Sequence, residues 1–246
     1  MSTKLVLEYD GGPFAGWALQ PGLRTVAAEV VNALGIVLRR PVDLTVAGRT
    51  DRGVHALGQV VSYDGPLPNL RSVNAVLPHE IVVLSAEEAD PEFSARHDAR
   101  TRSYMYRVLA RRTPSAFEQG RALWWPHRVD EEALRACAAA LVGTHDFTAF
   151  TPTETYHRRF ERDVVSARWE RRGDVLEFHI EADSFMRNMN RILIGTMLEV
   201  AEERRTLEDF VSLLDGAPRS LAGKTAPPYG LYLKGVSYAP GRRPWR

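Results

Sequence analysis

The chain has 246 residues, of which 44% are hydrophobic and 26% charged, with a formal net charge of +1. That balance excludes a disordered polyelectrolyte and fits one large domain or two small ones with a real core. No apolar run approaches the roughly 18 residues of a membrane span. The first ten residues, MSTKLVLEYD, carry charges too early for a signal peptide. The single cysteine, Cys137, allows neither an internal disulfide nor a thiolate metal site, and a reducing, cytoplasmic setting is the expectation.

In chain order, residues 4–9 alternate as a strand and end in the turn Gly11-Gly12-Pro13. Thr25 caps an amphipathic helix running to Arg39, with Val26, Val30, Val31, Leu34, Val37 and Leu38 at helical spacing. Strands are expected at 42–47 and 59–63, around a glycine-bounded turn at 48–53, followed by a short helix at 70–76 and a strand at 81–85. The second half predicts a strand at 103–110 and a helix at 130–142, acidic in its first turn and ended by Gly143. Strands 164–170 and 175–182 form a hairpin across Arg171-Arg172-Gly173-Asp174. Helices at 185–203 and 207–214 and a last strand at 231–238 complete the list. Mixed elements with hairpins make an α+β protein with largely antiparallel sheets, not a doubly wound parallel one. The expected domains are 1–100 and 101–246, with no low-complexity linker between them.

Several chemistries lack support. The seven histidines show no zinc-ligand spacing, so no metal is expected. Gly223-Lys224-Thr225 resembles the end of a phosphate-binding loop, but Pro218 replaces the required glycine and Pro227-Pro228 forbid the following helix. No G-x-S-x-G elbow occurs.

Three segments do concentrate chemistry. The first, residues 47–56, packs Arg49, Asp51 and Arg52 into a loop bounded by Gly48 and Gly53. Most such segments are simple turns. A carboxylate beside arginines, however, stays ionised and is poised as a nucleophile or charge stabiliser. The second, residues 93–107, interleaves Arg96, Arg100, Arg102 and Arg107 with Tyr104 and Tyr106. Arginines alternating with aromatics suit phosphates and unstacked bases of single-stranded RNA, although half-buried strand tyrosines are the commoner case. The third, residues 185–195, sets Arg187, Asn188, Asn190 and Arg191 on a helix whose Phe185, Met189, Ile192 and Leu193 face a core. Only three lysines accompany 29 arginines, a bias that a GC-rich genome would produce, so local clustering alone counts as evidence.

The run from Gly48 to Val60, G-R-T-D-R-G-V-H-A-L-G-Q-V, resembles the active-site motif of the tRNA pseudouridine synthase A family. Tyr9-Asp10-Gly11 with Gly16-Trp17, Leu77-Pro78, Phe93-Ser94-Ala95-Arg96, Arg102-Ser103-Tyr104-Met105-Tyr106, Gly143-Thr144-His145-Asp146-Phe147, the segment 185–195 and Gly230-Leu231-Tyr232-Leu233 recur in family order. The resemblance covers essentially the whole chain. It implies two tandem ferredoxin/RRM-like α+β halves sharing a largely antiparallel sheet, with a central basic cleft. It also implies a cytoplasmic homodimer binding tRNA across both subunits, and no cofactor. The implied reaction converts uridine to pseudouridine in the anticodon stem-loop, at tRNA positions 38–40.

By motif position, the resemblance makes Asp51 the catalytic aspartate and nucleophile, Tyr104 the active-site tyrosine, and Arg191 the basic partner that holds Asp51 ionised and aimed. Arg49 stands near the flipped nucleotide, and Leu231 lines the uracil pocket. Arg52, Arg96 and Arg102 are further substrate-binding candidates, with Arg100, Arg111 and Arg112 beside them. The sequence departs from the family pattern at Arg52, where alanine is frequent, at Asn190, where an apolar residue is common, and at Ala27, where glutamine is frequent. Two rival readings are a non-catalytic RNA-binding or RNA-folding protein of the same fold, and a glycosidase. The latter would want a second carboxylate at a defined separation.

Overall fold

A computed structural model describes residues 1–155 and 157–238. Described residues fall into two compact units, one made of 1–102 with 232–238 and the other of 103–231. The sequence-based division placed everything beyond 100 in one domain; by compactness the last strand instead groups with the first unit.

In the first unit, β1 (Ser2–Tyr9) pairs antiparallel with both β3 (His55–Asp64) and β4 (Ile81–Ala89). Its alternation works as read: Leu5, Leu7 and Tyr9 are buried while Lys4, Val6 and Glu8 are half-buried. Helix α1 (Val26–Leu38) starts where Thr25 Oγ1 accepts from Ala28 N and stops at Arg39, which turns left-handed at φ 55. Helix α2 (Leu70–Val76) is capped by Asn69, whose side chain accepts from Ser72 N.

The strand expected at 42–47 shrinks to β2 (Thr45–Val46), which pairs with Val61 and Ser62 of β3. The other end of that edge of β3, at His55 and Ala56, is taken by β10 (Leu231–Tyr238), which runs parallel to it. Two strands thus share one edge of β3. On the other face, Ala47, Val60 and Ala95 form a small core completed by Val6, Phe93, Val236 and Tyr238.

Strand β5 (Ala99–Leu109) carries the chain into the second unit, where β6 (Leu123–Trp124) pairs parallel with it. Strands β8 (Glu161–Arg172) and β9 (Val175–Ala182) form the expected hairpin, with Gly173 left-handed at φ 60 in its turn. Helix α3 (Glu131–Ala140) is capped by Asp130, whose carboxylate accepts from Glu132 N and Ala133 N. Gly143, expected to end that helix, opens β7 (Gly143–Asp146) at φ 111, and β7 lines the edge of β8.

Helix α4 (Met189–Ala201) begins four residues later than its apolar spacing predicted. Asn188 adopts φ 59, a left-handed conformation that an α-helix excludes, so residues 185–188 form the approach to the helix. Helix α5 (Leu207–Ser212) starts with a full capping box between Thr206 and Asp209. The fold is α+β with a largely antiparallel sheet, as expected. No helix among the described residues is long and apolar enough to cross a membrane.

Candidate active site

In the first unit, the loop between β2 and β3 carries Arg49, Asp51 and Arg52, all exposed, while Thr50 between them is buried. Four backbone carbonyls at and within the loop are occupied from the protein side. Ala47 O accepts from Arg102, Gly48 O from Gln59 Nε2 at 2.7 Å, Thr50 O from Trp17 N at 3.0 Å, and Asp51 O from Val54 N at 3.1 Å. The last bond closes a tight turn over Gly53, at φ 76. A loop whose acceptors are satisfied inward holds one shape and presents its charged side chains outward. Within its unit the Asp51 carboxylate has no hydrogen-bond or ion-pair partner among the described residues.

Thr50 is the anchor. Its hydroxyl meets Tyr9 Oη at 2.7 Å, and Gln59 Nε2 reaches the same phenol oxygen at 3.3 Å. Gln59 donates to the phenol oxygen, and either hydroxyl can be the donor between Tyr9 and Thr50. Burial pushes the Tyr9 phenol up to about 12, against a smaller lowering by Thr50 and Gln59, so it remains a donor. A second bracket comes from residues 10–17. A Cβ on Gly11 would stand 1.9 Å from Val54 O, and one on Gly16 (φ 106) 3.0 Å from Thr50 O. Two glycines thus let one backbone run against the other. His55 closes the base of the loop: its Nδ1 lies 3.0 Å from Gly11 N and 3.1 Å from Asp10 Oδ1, and its ring stacks on Tyr232 at 4.6 Å.

Arg102, expected to touch substrate, bonds Ala47 O and Arg96 O; Arg96 itself is exposed. Arg100 and Arg112 are also exposed, whereas Arg111 binds Asp174 at 3.0 Å and the carbonyls of Thr113 and Pro114.

In the second unit, Tyr104 is 8% exposed and meets Phe185 edge to face, ring centroids 4.9 Å apart. Arg191 lies in the first turn of α4; its Nε donates to Ala226 O at 2.7 Å and its Nη1 to Asn188 Oδ1 at 2.9 Å. Ala226 N returns a bond to Arg191 O at 3.0 Å. The strap from Gly223 to Ala226 therefore lies along α4, and Gly195 makes room for it: a Cβ there would be 1.7 Å from Lys224 O. This is the structural use of the Gly223-Lys224-Thr225 run. Beyond the strap, Tyr106 Oη donates to Pro227 O at 2.8 Å, and Gly230 fits against the Tyr106 ring, leading to buried Leu231. Burial also pushes the Tyr106 phenol well above its ordinary range.

Sequence reading missed the supporting groups: Thr50, Gln59, Tyr9 and Arg102 around one loop, and Asn188 and Ala226 around Arg191. Tyr9, Gly11 and Gly16 lie in segments that recur in family order and Thr50 and Gln59 in the 48–60 run, which marks these residues without assigning their contacts. Asn190, 5% exposed, has a buried Oδ1 without a hydrogen-bond partner among the described residues.

Comparison with known proteins supplies the chemistry that this geometry serves. A family described as tRNA pseudouridine synthase matches residues 137–239. The tRNA pseudouridine synthase A of Bacillus pumilus is 38% identical over 245 residues, covering 97% of this chain and 99% of that protein. The protein of the same name from Bacillus subtilis is 37% identical over 97% of this chain and 99% of its own length, and that from Cereibacter sphaeroides 39% over 95% and 96%.

Proposed function

The chain belongs to the tRNA pseudouridine synthase A family, and from that premise we propose that it isomerises uridine to pseudouridine in the anticodon stem-loop of tRNA, with Asp51 as the nucleophile. The observation that carries this reading is a loop held by bonds to the Ala47, Gly48, Thr50 and Asp51 carbonyls, with the Asp51 carboxylate exposed between Arg49 and Arg52.

The reaction breaks the bond between uracil N1 and ribose C1′, turns the base, forms a bond between C5 and C1′, and releases the C5 proton while N1 gains one. Composition is unchanged, so no redox partner is consumed. An ionised Asp51 attacks C1′ or C6, or stabilises cationic ribose as uracil departs. Arg191 holds that carboxylate in its charged form, and Tyr104 stacks on the base and relays the final proton. Leu231 gives the uracil an apolar wall. The uridine leaves its stack to be reached, an extrusion costing a few kcal/mol that arginine–phosphate contacts from Arg49, Arg52 and Arg96 offset. The same reading makes the enzyme a cytoplasmic homodimer that binds tRNA across both subunits.

Mapping pseudouridine in unmodified tRNA transcripts after incubation with the purified protein tests the proposal. New pseudouridine at positions 38–40, and none elsewhere, is expected. Modification confined to another arm would overturn the anticodon assignment. Binding without any modification would favour an RNA-binding protein.

A further inference from the structure

We infer that Arg102 is a positioning residue for the Asp51 loop and not a contact to RNA, an assignment that deepens the proposed function and rests on it. Ala47 is the last residue of its segment still in the ladder, its N–H bonding Val60 O at 2.9 Å. Its carbonyl is the first acceptor to leave the sheet as the loop begins. Arg102 meets that carbonyl with two donors of one guanidinium edge, Nε at 3.2 Å and Nη2 at 2.9 Å. The same Nη2 also donates to Arg96 O at 3.0 Å. One planar group thus ties the root of the loop and the segment before β5 to the strand that carries Arg102.

The choice of edge matters. The Nε–Nη2 edge is a fork that can grip two oxygens of a phosphate. In Arg102 it is spent on backbone carbonyls, and the residue is half-buried. Arg49, Arg52, Arg96 and Arg100 are exposed instead. Position in the R-x-Y-x-Y run does not separate these roles, but hydrogen-bond geometry does. From Ala47 O the loop takes four residues to reach Asp51, so a slack root becomes a misplaced carboxylate. A misplacement near 1 Å can cost on the order of 100-fold in rate. Lysine cannot substitute, because a compact ammonium lacks the planar fork.

The test compares wild type with Arg102→Ala, Arg102→Lys and Arg96→Ala, using full-length protein and unmodified tRNA transcript. Four quantities are read: hydrogen exchange of the 48–54 amides, turnover, affinity for RNA against salt, and melting temperature. For Arg102→Ala the expectation is faster exchange in 48–54 and a kcat lower by tenfold or more, with RNA affinity and its salt slope unchanged. Arg102→Lys should behave the same way, and sub-denaturing guanidinium, but not matched sodium chloride, should restore part of the Arg102→Ala turnover. Arg96→Ala should do the opposite, weakening binding and lowering the salt slope by about 1 with exchange in 48–54 unaltered.

Unchanged exchange in 48–54 overturns the proposal, as does a lowered salt slope for Arg102→Ala with kcat retained. If Arg102→Ala does not fold, Arg102→Gln takes its place in every arm. The exchange measurement does not depend on turnover. Absence of activity in wild type would therefore count against the proposed function, and unaltered loop exchange against the role of Arg102.

Discussion

Tyr9 and Thr50, 41 residues apart in the chain, share a buried hydroxyl-to-hydroxyl hydrogen bond of 2.7 Å that fastens the loop of Asp51 to the end of β1. The bond sits one residue from the exposed Asp51 carboxylate. Replacing Tyr9 by Phe removes the phenol that Gln59 donates to and that shares a hydrogen bond with the Thr50 hydroxyl. Leaving buried polar groups short of a partner costs about 1–3 kcal/mol. The expected result is a lower melting temperature and a lower kcat, measured by thermal denaturation and steady-state turnover; an unchanged melting temperature would contradict the anchoring role.

The same phenol makes an alkaline prediction. Burial holds it at about 12 in the folded state, above the ordinary phenol value of about 10. The neutral form is therefore favoured by folding, and its stabilisation is complete below pH 10 and lost as pH rises through 12. Denaturant titrations across that window should show wild type losing more stability than Tyr9→Phe. Parallel losses would contradict it.

Gly16 combines φ 106 with a would-be Cβ 3.0 Å from Thr50 O and 3.2 Å from Arg52 N. Gly16→Ala therefore strains its own backbone and pushes on the Asp51 loop, costing about 1–3 kcal/mol. Turnover should fall by more than the loss of folded protein explains, read as kcat per folded molecule. Full activity per folded molecule would show that residues 10–17 do not set the loop.

Arg191 spans Ala226 O and Asn188 Oδ1 with two donors, one on each side of its fork. Arg191→Lys can reach one acceptor at a time, which should lower stability by about 1–3 kcal/mol. If Arg191 also aims Asp51, kcat falls by more than the loss of folded protein explains, because lysine lacks the planar fork that fixes the geometry. A stability loss with kcat per folded molecule unchanged would confine Arg191 to strapping 223–226 onto α4.

Asn190 invites the opposite outcome. Its Oδ1 is buried without a partner among the described residues, and leucine has nearly the same shape without the polar atoms. Asn190→Leu should raise stability by roughly 1 kcal/mol, because the unsatisfied carbonyl no longer has to leave water. A lower melting temperature would mean that the amide serves a purpose.

Of the elements read to the residue, α2, β9 and β10, the first and last have limits set locally. Asn69 caps one, and the turn chemistry of Pro227-Pro228 delivers the other at Leu231. The misplaced limits have other causes. By register 42–44 would face 63–65, where β3 ends at Asp64 and Gly65 turns at φ 143, and α4 was overextended because apolar spacing does not register a left-handed Asn188. The site divides the same way. The glycines and charges of 48–53 mark the loop, and the motif order marks the family. The groups that shape the loop come from residues 9, 17, 59 and 102, whose convergence is a product of strand pairing. Arg102 illustrates the limit: its motif suggested a phosphate contact, and its hydrogen bonds point to the loop instead.

The most direct measurement uses unmodified tRNA transcript labelled with tritium at uracil C5, incubated with wild type and with Asp51→Asn. Isomerisation displaces the C5 hydrogen, so label appearing in water counts turnovers. The account predicts release by wild type, none above background by Asp51→Asn, and equal RNA affinity for the two. Release by Asp51→Asn at the wild-type rate would contradict the role of Asp51, and no release by wild type on RNA that it binds would contradict the enzyme itself.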